Sequence, residues 1–150
     1  MLNQVDFPLT NSQISEFILD KGYTTYFKLQ QALSELLESG FIREESTHHR
    51  TFYHLTEDGA ETIHYFTNDI SPAIQHDIDE FLKEKHYELK NEMSVKADYF
   101  ENSNMEYSVR CQVIEQGLPL IDLTVTAPTE SEAATIANNW QKRNQEIYAL

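Results

Sequence analysis

The order of hydrophobic patterns between Thr10 and Gly59 constrains the fold more than any other feature of this chain. Two short amphipathic helical patterns come first, and a polar segment between two short apolar runs follows them. The stretch ends in Tyr53-His54-Leu55-Thr56-Glu57-Asp58-Gly59, a Tyr-x-Leu-Thr-x-x-Gly phrase. Two helices and a hairpin in this order predict a winged helix-turn-helix, a fold that most often reads DNA.

The two helical patterns have recognisable ends. Thr10 or Asn11 is suited to cap the first helix, and Lys21-Gly22 to stop it. Thr25 is predicted to cap the second helix, which Ser39-Gly40 would end, so that a recognition helix spans about residues 25–39. The residues predicted to face inward are Ile14, Phe17 and Ile18 in the first helix, and Leu29, Ala32, Leu33, Leu36 and Leu37 in the second.

The segment after Gly40 reads as a hairpin, or wing, over about residues 41–54. Its strands would be Phe41-Ile42-Arg43 and Thr51-Phe52-Tyr53, with a polar tip between them. Thr56 would cap a third helix, and Ser71-Pro72 would open a fourth. The apolar residues assigned to these helices are Ile63 and Phe66 in the third, and Ile74, Ile78, Phe81 and Leu82 in the fourth.

After Lys85 the hydrophobic period changes from about 3.6 to 2. Alternating runs from Tyr87 to Tyr99, Met105 to Val113 and Ile121 to Ala127 predict a three-stranded antiparallel meander with one apolar face. Turns fall at Asn102-Ser103-Asn104 and Gln116-Gly117. Thr129-Glu130-Ser131-Glu132 reads as a capping box, which opens a covering helix. Its apolar stripe would be Ala133, Ile136, Ala137, Trp140 and Ile147.

These patterns predict an α+β protein in three parts. Residues 1–68 would form the winged helix-turn-helix, residues 69–86 a connecting helix, and residues 87–150 the sheet with its C-terminal helix. A winged helix usually has a further helix before the position of Pro8, where this chain has seven residues. The first helix would therefore be a stub, or the chain is shorter than its relatives, or a partner protomer completes the bundle.

Composition favours a cytoplasmic protein. Hydrophobic residues make up 40% of the chain, enough for a core, yet no apolar run approaches the roughly 20 residues that a membrane span needs. The first residues lack the basic and apolar regions of a signal peptide. Cys111 is the single cysteine, which excludes an intramolecular disulfide and suits a reducing compartment.

Charge is the main objection to a DNA-binding function. The net charge is −14, and residues 1–68 carry four Lys/Arg against ten Asp/Glu. Salt screens this repulsion beyond about 8 Å. We expect Thr25, Lys28 and Gln31 to read bases, and Lys21, Arg43 and Arg50 to hold phosphates. The complete set of residues predicted to contact DNA is Lys21, Thr24, Thr25, Tyr26, Lys28, Gln31, Arg43, His49 and Arg50.

Chemistry of other kinds has weaker support in the sequence. There is no Gly-rich phosphate loop, nucleophile elbow or paired zinc ligand set, so no catalytic, cofactor-binding or metal residue is predicted. His48-His49, His54 and Glu45 could cluster on the hairpin, although solvated wing residues are the simpler interpretation. Cys111 alternates with the apolar side of a strand and is expected to be buried. Trp140 could line a ligand pocket or pack in the core.

Phrases along nearly the whole chain resemble the domain-of-unknown-function 4364 family. They are Asp6-Phe-Pro-Leu-Thr-Asn-Ser-Gln-Ile, Phe27-Lys-Leu-Gln-Gln-Ala-Leu-Ser-Glu-Leu, Leu55-Thr-Glu-Asp-Gly, Tyr87-Glu-Leu-Lys-Asn-Glu, Leu120-Ile-Asp-Leu-Thr-Val and Asn139-Trp-Gln-Lys. The resemblance implies an N-terminal winged helix similar to that of PadR- and MarR-type regulators. It also implies a further helix before Asp6, from which this chain departs. It implies no catalytic residue.

The sequence thus predicts a cytoplasmic regulator that binds double-stranded DNA as a homodimer. Its C-terminal layer would serve dimerisation or the sensing of an unknown small-molecule or protein effector. The alternative is a winged-helix module that binds protein and not DNA, in which acidic faces and an outward Phe27 form the contact surface.

Overall fold

A computed structural model describes residues 1–48, 50–115 and 117–148 of the chain. Within these residues the protein has six α-helices, six β-strands and 3-10 turns at Leu2–Gln4 and Thr67–Asp69. In chain order the elements are β1 (Leu9–Thr10), α1 (Asn11–Asp20), α2 (Tyr26–Glu38), β2 (Ile42–Ser46), β3 (Thr51–Leu55), α3 (Glu57–Phe66), α4 (Pro72–Glu84), α5 (His86–Ser94), β4 (Val95–Glu101), β5 (Tyr107–Glu115), β6 (Leu118–Ala127) and α6 (Glu130–Tyr148).

The protein is therefore a mixed α+β chain with two three-stranded antiparallel sheets. It divides into two compact units. The first consists of Met1–Ser46 and Arg50–Lys90, and the second of the remaining described residues. None of the helices in the described part of the chain is long and apolar enough to cross a membrane.

The first unit packs its helices around one apolar core. The buried members of that core are Leu9, Ile14, Phe17, Leu29, Leu33, Ile42, Tyr53, Ile78, Leu82 and Leu89. Met1, Leu2, Val5 and Phe7 pack against it from the segment that precedes β1. This segment contains the 3-10 turn Leu2–Gln4.

A small sheet in the order β1-β3-β2 completes this unit. Ile42 pairs with Leu55 and Ser46 with Thr51, so β2 and β3 form a regular hairpin. Both strands are longer than the sequence predicted, since Glu44 and Glu45 belong to β2 and not to the hairpin tip. Leu9 and Thr10 pair with Tyr53 and Phe52 on the other side of β3.

The predicted helix ends of the first unit are confirmed. Thr10 caps α1 in a capping box with Gln13. The Thr10 hydroxyl oxygen accepts from the Gln13 amide, and Gln13 Oε1 accepts from the Thr10 amide. Thr25 caps α2 and Thr56 caps α3. Gly22 and Gly40 follow α1 and α2 with φ angles of 68° and 73°, the left-handed conformation that ends a helix most easily at glycine.

The predicted strand over residues 87–93 is wrong, because His86–Ser94 forms the helix α5. Leu89 is only 3% exposed and lies in the same core as Ile78 and Leu82 of α4. Leu82 follows Ile78 by four positions, and Leu89 follows Leu82 by seven. These spacings place the three residues on one helical stripe that continues from α4 into α5. Burial on that stripe outweighs the local alternation around Tyr87, so the strand begins only at Val95.

Three apolar side chains of α2 and α3 are exposed, and two of them, Ala32 and Leu36, are predicted by the sequence to face inward. In α2 both Ala32 and Leu36 lie outside the core, and Leu36 is 39% exposed. In α3 Phe66 is 56% exposed. The inner stripe of α2 is therefore narrower than predicted, with Leu29 and Leu33 buried and Leu37 partly buried. Such a narrow stripe is sufficient because α2 packs against few neighbours.

The second unit is the predicted meander with its helix. Its sheet has the order β4-β5-β6, with Val95 opposite Val113 and Val109 opposite Val125. A β-bulge interrupts the pairing of β5 with β6 between Val113 and Ile114. Thr129 and Glu132 form the predicted capping box, since each accepts a hydrogen bond from the other's backbone amide.

Two apolar assignments in this unit need correction. Met105 lies in the turn after β4 with a φ of 60° and is 83% exposed, so the second strand begins at Tyr107. Ile147 of α6 is 42% exposed. The buried stripe of α6 runs through Ala133, Ala137 and Trp140, and Asn144 continues it by donating to the Trp140 carbonyl oxygen at 3.0 Å.

Candidate nucleic-acid interface

Helix α2 is held in place by a polar network as well as by its two buried leucines. The Asn11 side chain amide donates to Gln30 Oε1 at 2.9 Å and to the Tyr53 hydroxyl oxygen at 3.0 Å. These contacts tie the start of α1 to α2 and to β3. Since each member has a partner, the network fixes which side of α2 faces the core.

Four of the nine residues predicted to contact DNA lie on α2 or at its N-cap. Thr25, Lys28 and Gln31 are exposed, and Tyr26 is 53% exposed. Thr24, in the turn before them, is half-buried. Gln31 is partly engaged, because its amide donates to Glu35 Oε1 at 2.9 Å. The structure therefore brings together the residues assigned to base reading, and one of them bonds to a carboxylate of the same helix.

Lys21, predicted to hold a phosphate, lies beside a carboxylate of α4. Its Nζ lies 3.5 Å from Asp77 Oδ1, and the Tyr23 hydroxyl donates to Asp77 Oδ2 at 2.5 Å. The Tyr23 hydrogen bond and then Lys21 hold the pKa of the Asp77 carboxyl below its usual range. Asp77 is therefore ionised at neutral pH, and a phosphate would have to compete with it for Lys21.

The hairpin presents little positive charge. Arg43 is opposite His54 in the β2–β3 pairing and is exposed. It lines a cavity of about 280 Å³ whose wall is the segment from Leu2 to Pro8. His54 Nε2 lies 3.1 Å from Glu45 Oε2. Arg43 thus lies near the base of the hairpin, in the strand to which the sequence assigned it.

The remaining hairpin residues of the predicted interface are Arg50 and His49. Arg50 is half-buried and immediately precedes β3. His49 lies outside the described residues. Within the part of the chain that the structure describes, no three His, Cys, Asp or Glu side chains are grouped as metal ligands.

The Leu-Thr-x-x-Gly phrase anchors the hairpin to α3. The Thr56 hydroxyl accepts from the Gly59 amide at 3.1 Å and donates to the Phe41 carbonyl oxygen at 2.9 Å. The Thr56 amide donates to the same carbonyl at 3.1 Å. A Cβ on Gly59 would lie 2.0 Å from that oxygen. The phrase is therefore a structural junction, and its glycine allows the first turn of α3 to approach the chain at Phe41.

The second unit contains a groove, of which the sequence suggested only that Trp140 could line a ligand pocket. Its volume is about 610 Å³, and it lies between the β5–β6 side of the sheet and α6. Trp140 is 6% exposed and belongs to the core, while it also contributes to the groove wall. The lining residues are Cys111, Leu123, Val125, Ile136, Asn139, Trp140, Arg143, Glu146 and Ile147. The half-covered face of β6 was not predictable from alternation, which marks the apolar face but not how far the helix covers it.

Cys111 offers no reactive thiol. Its side chain is 1% exposed, and burial raises the pKa of the thiol to about 11. At pH 8 the thiolate would thus be about one part in a thousand of the population.

We expect native Cys111 to react with Ellman's reagent at pH 8 at least about a hundredfold more slowly than in the urea-unfolded chain. The reason is that both the thiolate fraction and access to the sulfur increase on unfolding. Absorbance at 412 nm follows the reaction, and free cysteine added to each buffer controls for the effect of urea on the reagent. Equal rates in the two states would contradict the buried assignment.

Comparison with known proteins identifies the family. The family model described as "Domain of unknown function (DUF4364)" matches residues 1–150. Comparison with curated proteins gave no match, and neither did comparison with solved structures. Because the family match covers the whole chain, this protein belongs to the DUF4364 family.

Proposed function

We propose that the first part of the chain, residues 1–68, is a winged helix-turn-helix similar to that of PadR- and MarR-type regulators. The order β1-α1-α2-β2-β3, with β3 central in its sheet, supports this assignment. The turn of five residues between α1 and α2, which contains Gly22, supports it further.

The proposed function is that of a dimeric cytoplasmic transcriptional regulator that binds double-stranded DNA and has no catalytic activity. The observation that carries it is the exposed N-terminal half of α2. Thr25, Lys28 and Gln31 are all exposed there. In a helix-turn-helix this end of the second helix enters the major groove, where lysine can bind guanine and glutamine can bind adenine.

Because of its negative charge, the chain is expected to bind DNA only weakly outside its specific target sequence. The chain has a net charge of −14, and Lys21 is shared with Asp77. If each protomer contacts about three phosphates, a dimer contacts about six, and the log–log salt slope is near −5. Affinity would then fall about a thousandfold between about 50 and 200 mM salt. A dimer and a well-matched site are both required to compensate.

The direct test is retention on mixed-sequence duplex DNA at low salt. We expect the wild-type chain to be retained, and the double variant Lys28→Ala, Arg50→Ala to bind about tenfold or more weakly with a salt slope reduced by about one per protomer, because Arg50 is assigned to a phosphate and Lys28 to a base. Fluorescence anisotropy across a salt series measures both quantities. The matched control is Lys83→Ala, Lys142→Ala, which removes the same charge at exposed positions of α4 and α6.

If both double variants behave alike, contact through α2 and the hairpin is disproved. If the wild-type chain is not retained even at low salt, the second candidate function gains support.

That candidate is a protein-binding module, and a specific observation favours it. Phe27 is 84% exposed at the start of α2, and its ring centroid lies 5.9 Å from that of the exposed Tyr26. Paired exposed aromatics are typical of protein contact surfaces.

A further inference from the structure

The two edges of the second-unit sheet differ in how they are protected. Among the described strands, β4 and β6 each have a strand on one side only. An unprotected edge is a template for another strand, and natural proteins block such edges with charged side chains or proline. Strand β4 carries Lys96, Asp98 and Glu101. Strand β6 extends over ten residues, and its single proline, Pro119, is confined to its start.

The one charged side chain of β6 does not block its edge. The carboxylate of Asp122 is held over β5, where Arg110 Nε and Nη2 donate to it at 3.0 and 2.7 Å. Gln112 adds a third hydrogen bond at 3.1 Å. The remaining outward residues of the strand's second half, Thr124 and Thr126, are uncharged. The edge of β6 is therefore open to another strand, whereas β4 carries Lys96 and Glu101 in addition to Asp98, which accepts from the His48 amide.

The apolar face behind this edge is incompletely covered. Helix α6 packs mainly on β4 and β5, and only slightly on β6. Val125 of β6 is consequently 39% exposed, and Ile147 of α6 is 42% exposed. Both line the groove of about 610 Å³, which thus lies directly behind the open edge. The open edge and the apolar groove adjoin one another. A partner that fits both would pair a strand with the edge and place apolar side chains in the groove.

Charge identifies the partner. The chain as a whole has a net charge of −14, so two copies repel each other over most of their surfaces. Two acids of this surface have a base beside them, since Arg143 Nε lies 2.9 Å from Glu146 Oε1 and Arg110 neutralises Asp122. The surface is locally neutral, and a second copy can approach it without like-charge repulsion.

We propose that two copies of this chain associate through β6, pairing antiparallel about a two-fold axis to give a six-stranded sheet. With Thr124 on the axis, Leu123 lies opposite the partner subunit's Val125, so the apolar groove residues meet twice. The same register places Asp122 opposite the partner's Thr126 and avoids a pair of facing aspartates. This dimer is the one that the proposed function requires, so the inference rests on that function. The dimer is tested without DNA, so that dimerisation and DNA binding can each fail independently of the other.

Sedimentation velocity of the full chain between about 1 and 100 µM tests the association. We expect a dimer for the wild type and at least about a hundredfold rise in dissociation constant for Val125→Glu, because a carboxylate would be buried unpaired at the interface. The matched control is Phe100→Glu, which places the same charge at an exposed apolar position of β4. This control should remain a dimer.

A cross-linking experiment tests the register and does not depend on the folding of Val125→Glu. Antiparallel partners have Cα atoms about 4.5–5.5 Å apart, which suits a disulfide. Thr124→Cys should therefore form a covalent dimer on mild oxidation, whereas Phe100→Cys should not, and Cys111 is buried in both variants. A wild-type monomer at about 100 µM, or a dimer without the Thr124→Cys cross-link, would overturn the proposal. In a monomer, binding of a hydrophobic dye that Val125→Glu abolishes would assign the groove to a small apolar ligand.

Discussion

Replacing Gly59 with alanine is expected to destabilise the first unit by about 3 kcal/mol or more. The added Cβ would lie 2.0 Å from the Phe41 carbonyl oxygen and 2.9 Å from Leu55 Cδ1. The first of these atoms belongs to the backbone and accepts a hydrogen bond from the Thr56 amide, and it shares the Thr56 hydroxyl proton with the Gly40 carbonyl oxygen, so moving it away would weaken both contacts. Forcing extra atoms into such a contact commonly costs about 1–3 kcal/mol when side chains can adjust, and more when they cannot.

The sign of this effect makes the test decisive. Gly59 lies within α3, where helix propensity alone predicts that alanine stabilises the chain by about 1 kcal/mol. Urea unfolding followed by circular dichroism at 222 nm gives the free energy of unfolding of both proteins. Glu61→Ala is the control, since it changes an exposed position of the same helix and should stay within about 0.5 kcal/mol of wild type. A Gly59→Ala chain as stable as the control would refute the close contact.

The parts of the fold that the sequence could predict depend on local rules. Thr10, Thr25 and Thr56 cap their helices as predicted, because an N-cap threonine acts within three residues of its own position. The alternation in β5 likewise identifies the buried Val109 and Cys111 without knowledge of what covers them. Local chemistry decides each of these features, so a single sequence contains enough information.

The errors come from contacts between distant residues. Leu89 is buried on the core shared with Ile78 and Leu82, and that packing makes a helix of a segment that alternates like a strand. Lys21 lies beside Asp77 of a different helix, 56 positions away, an ion pair that no local pattern contains. In both cases the decisive contact is tertiary and lies outside any local pattern. The exposure of Thr25, Lys28 and Gln31 follows from the helical pattern, whereas the Lys21–Asp77 pair does not.

The second large effect is expected in the other unit, from Trp140→Ala. Trp140 is 6% exposed and packs in the core with Ala133, Ala137 and Cys111, and its indole Nε1 donates to the Gln112 carbonyl oxygen at 3.1 Å. Truncation removes the largest side chain of that core and also leaves the Gln112 carbonyl without this donor. We expect a loss of about 3–5 kcal/mol in the free energy of unfolding.

Trp140→Phe separates the two contributions to that loss. Phenylalanine retains most of the buried ring but cannot donate to Gln112, so its cost should be about 1–3 kcal/mol, the range for an unsatisfied buried acceptor. Urea unfolding followed by circular dichroism suits all variants, because Trp140 is the only tryptophan and its fluorescence is lost on substitution. Asn138→Ala, at an exposed position of α6, should unfold as wild type does. If Trp140→Ala costs no more than Trp140→Phe, the ring contributes through its hydrogen bond and not through packing, and α6 is not held to the sheet in the way described above.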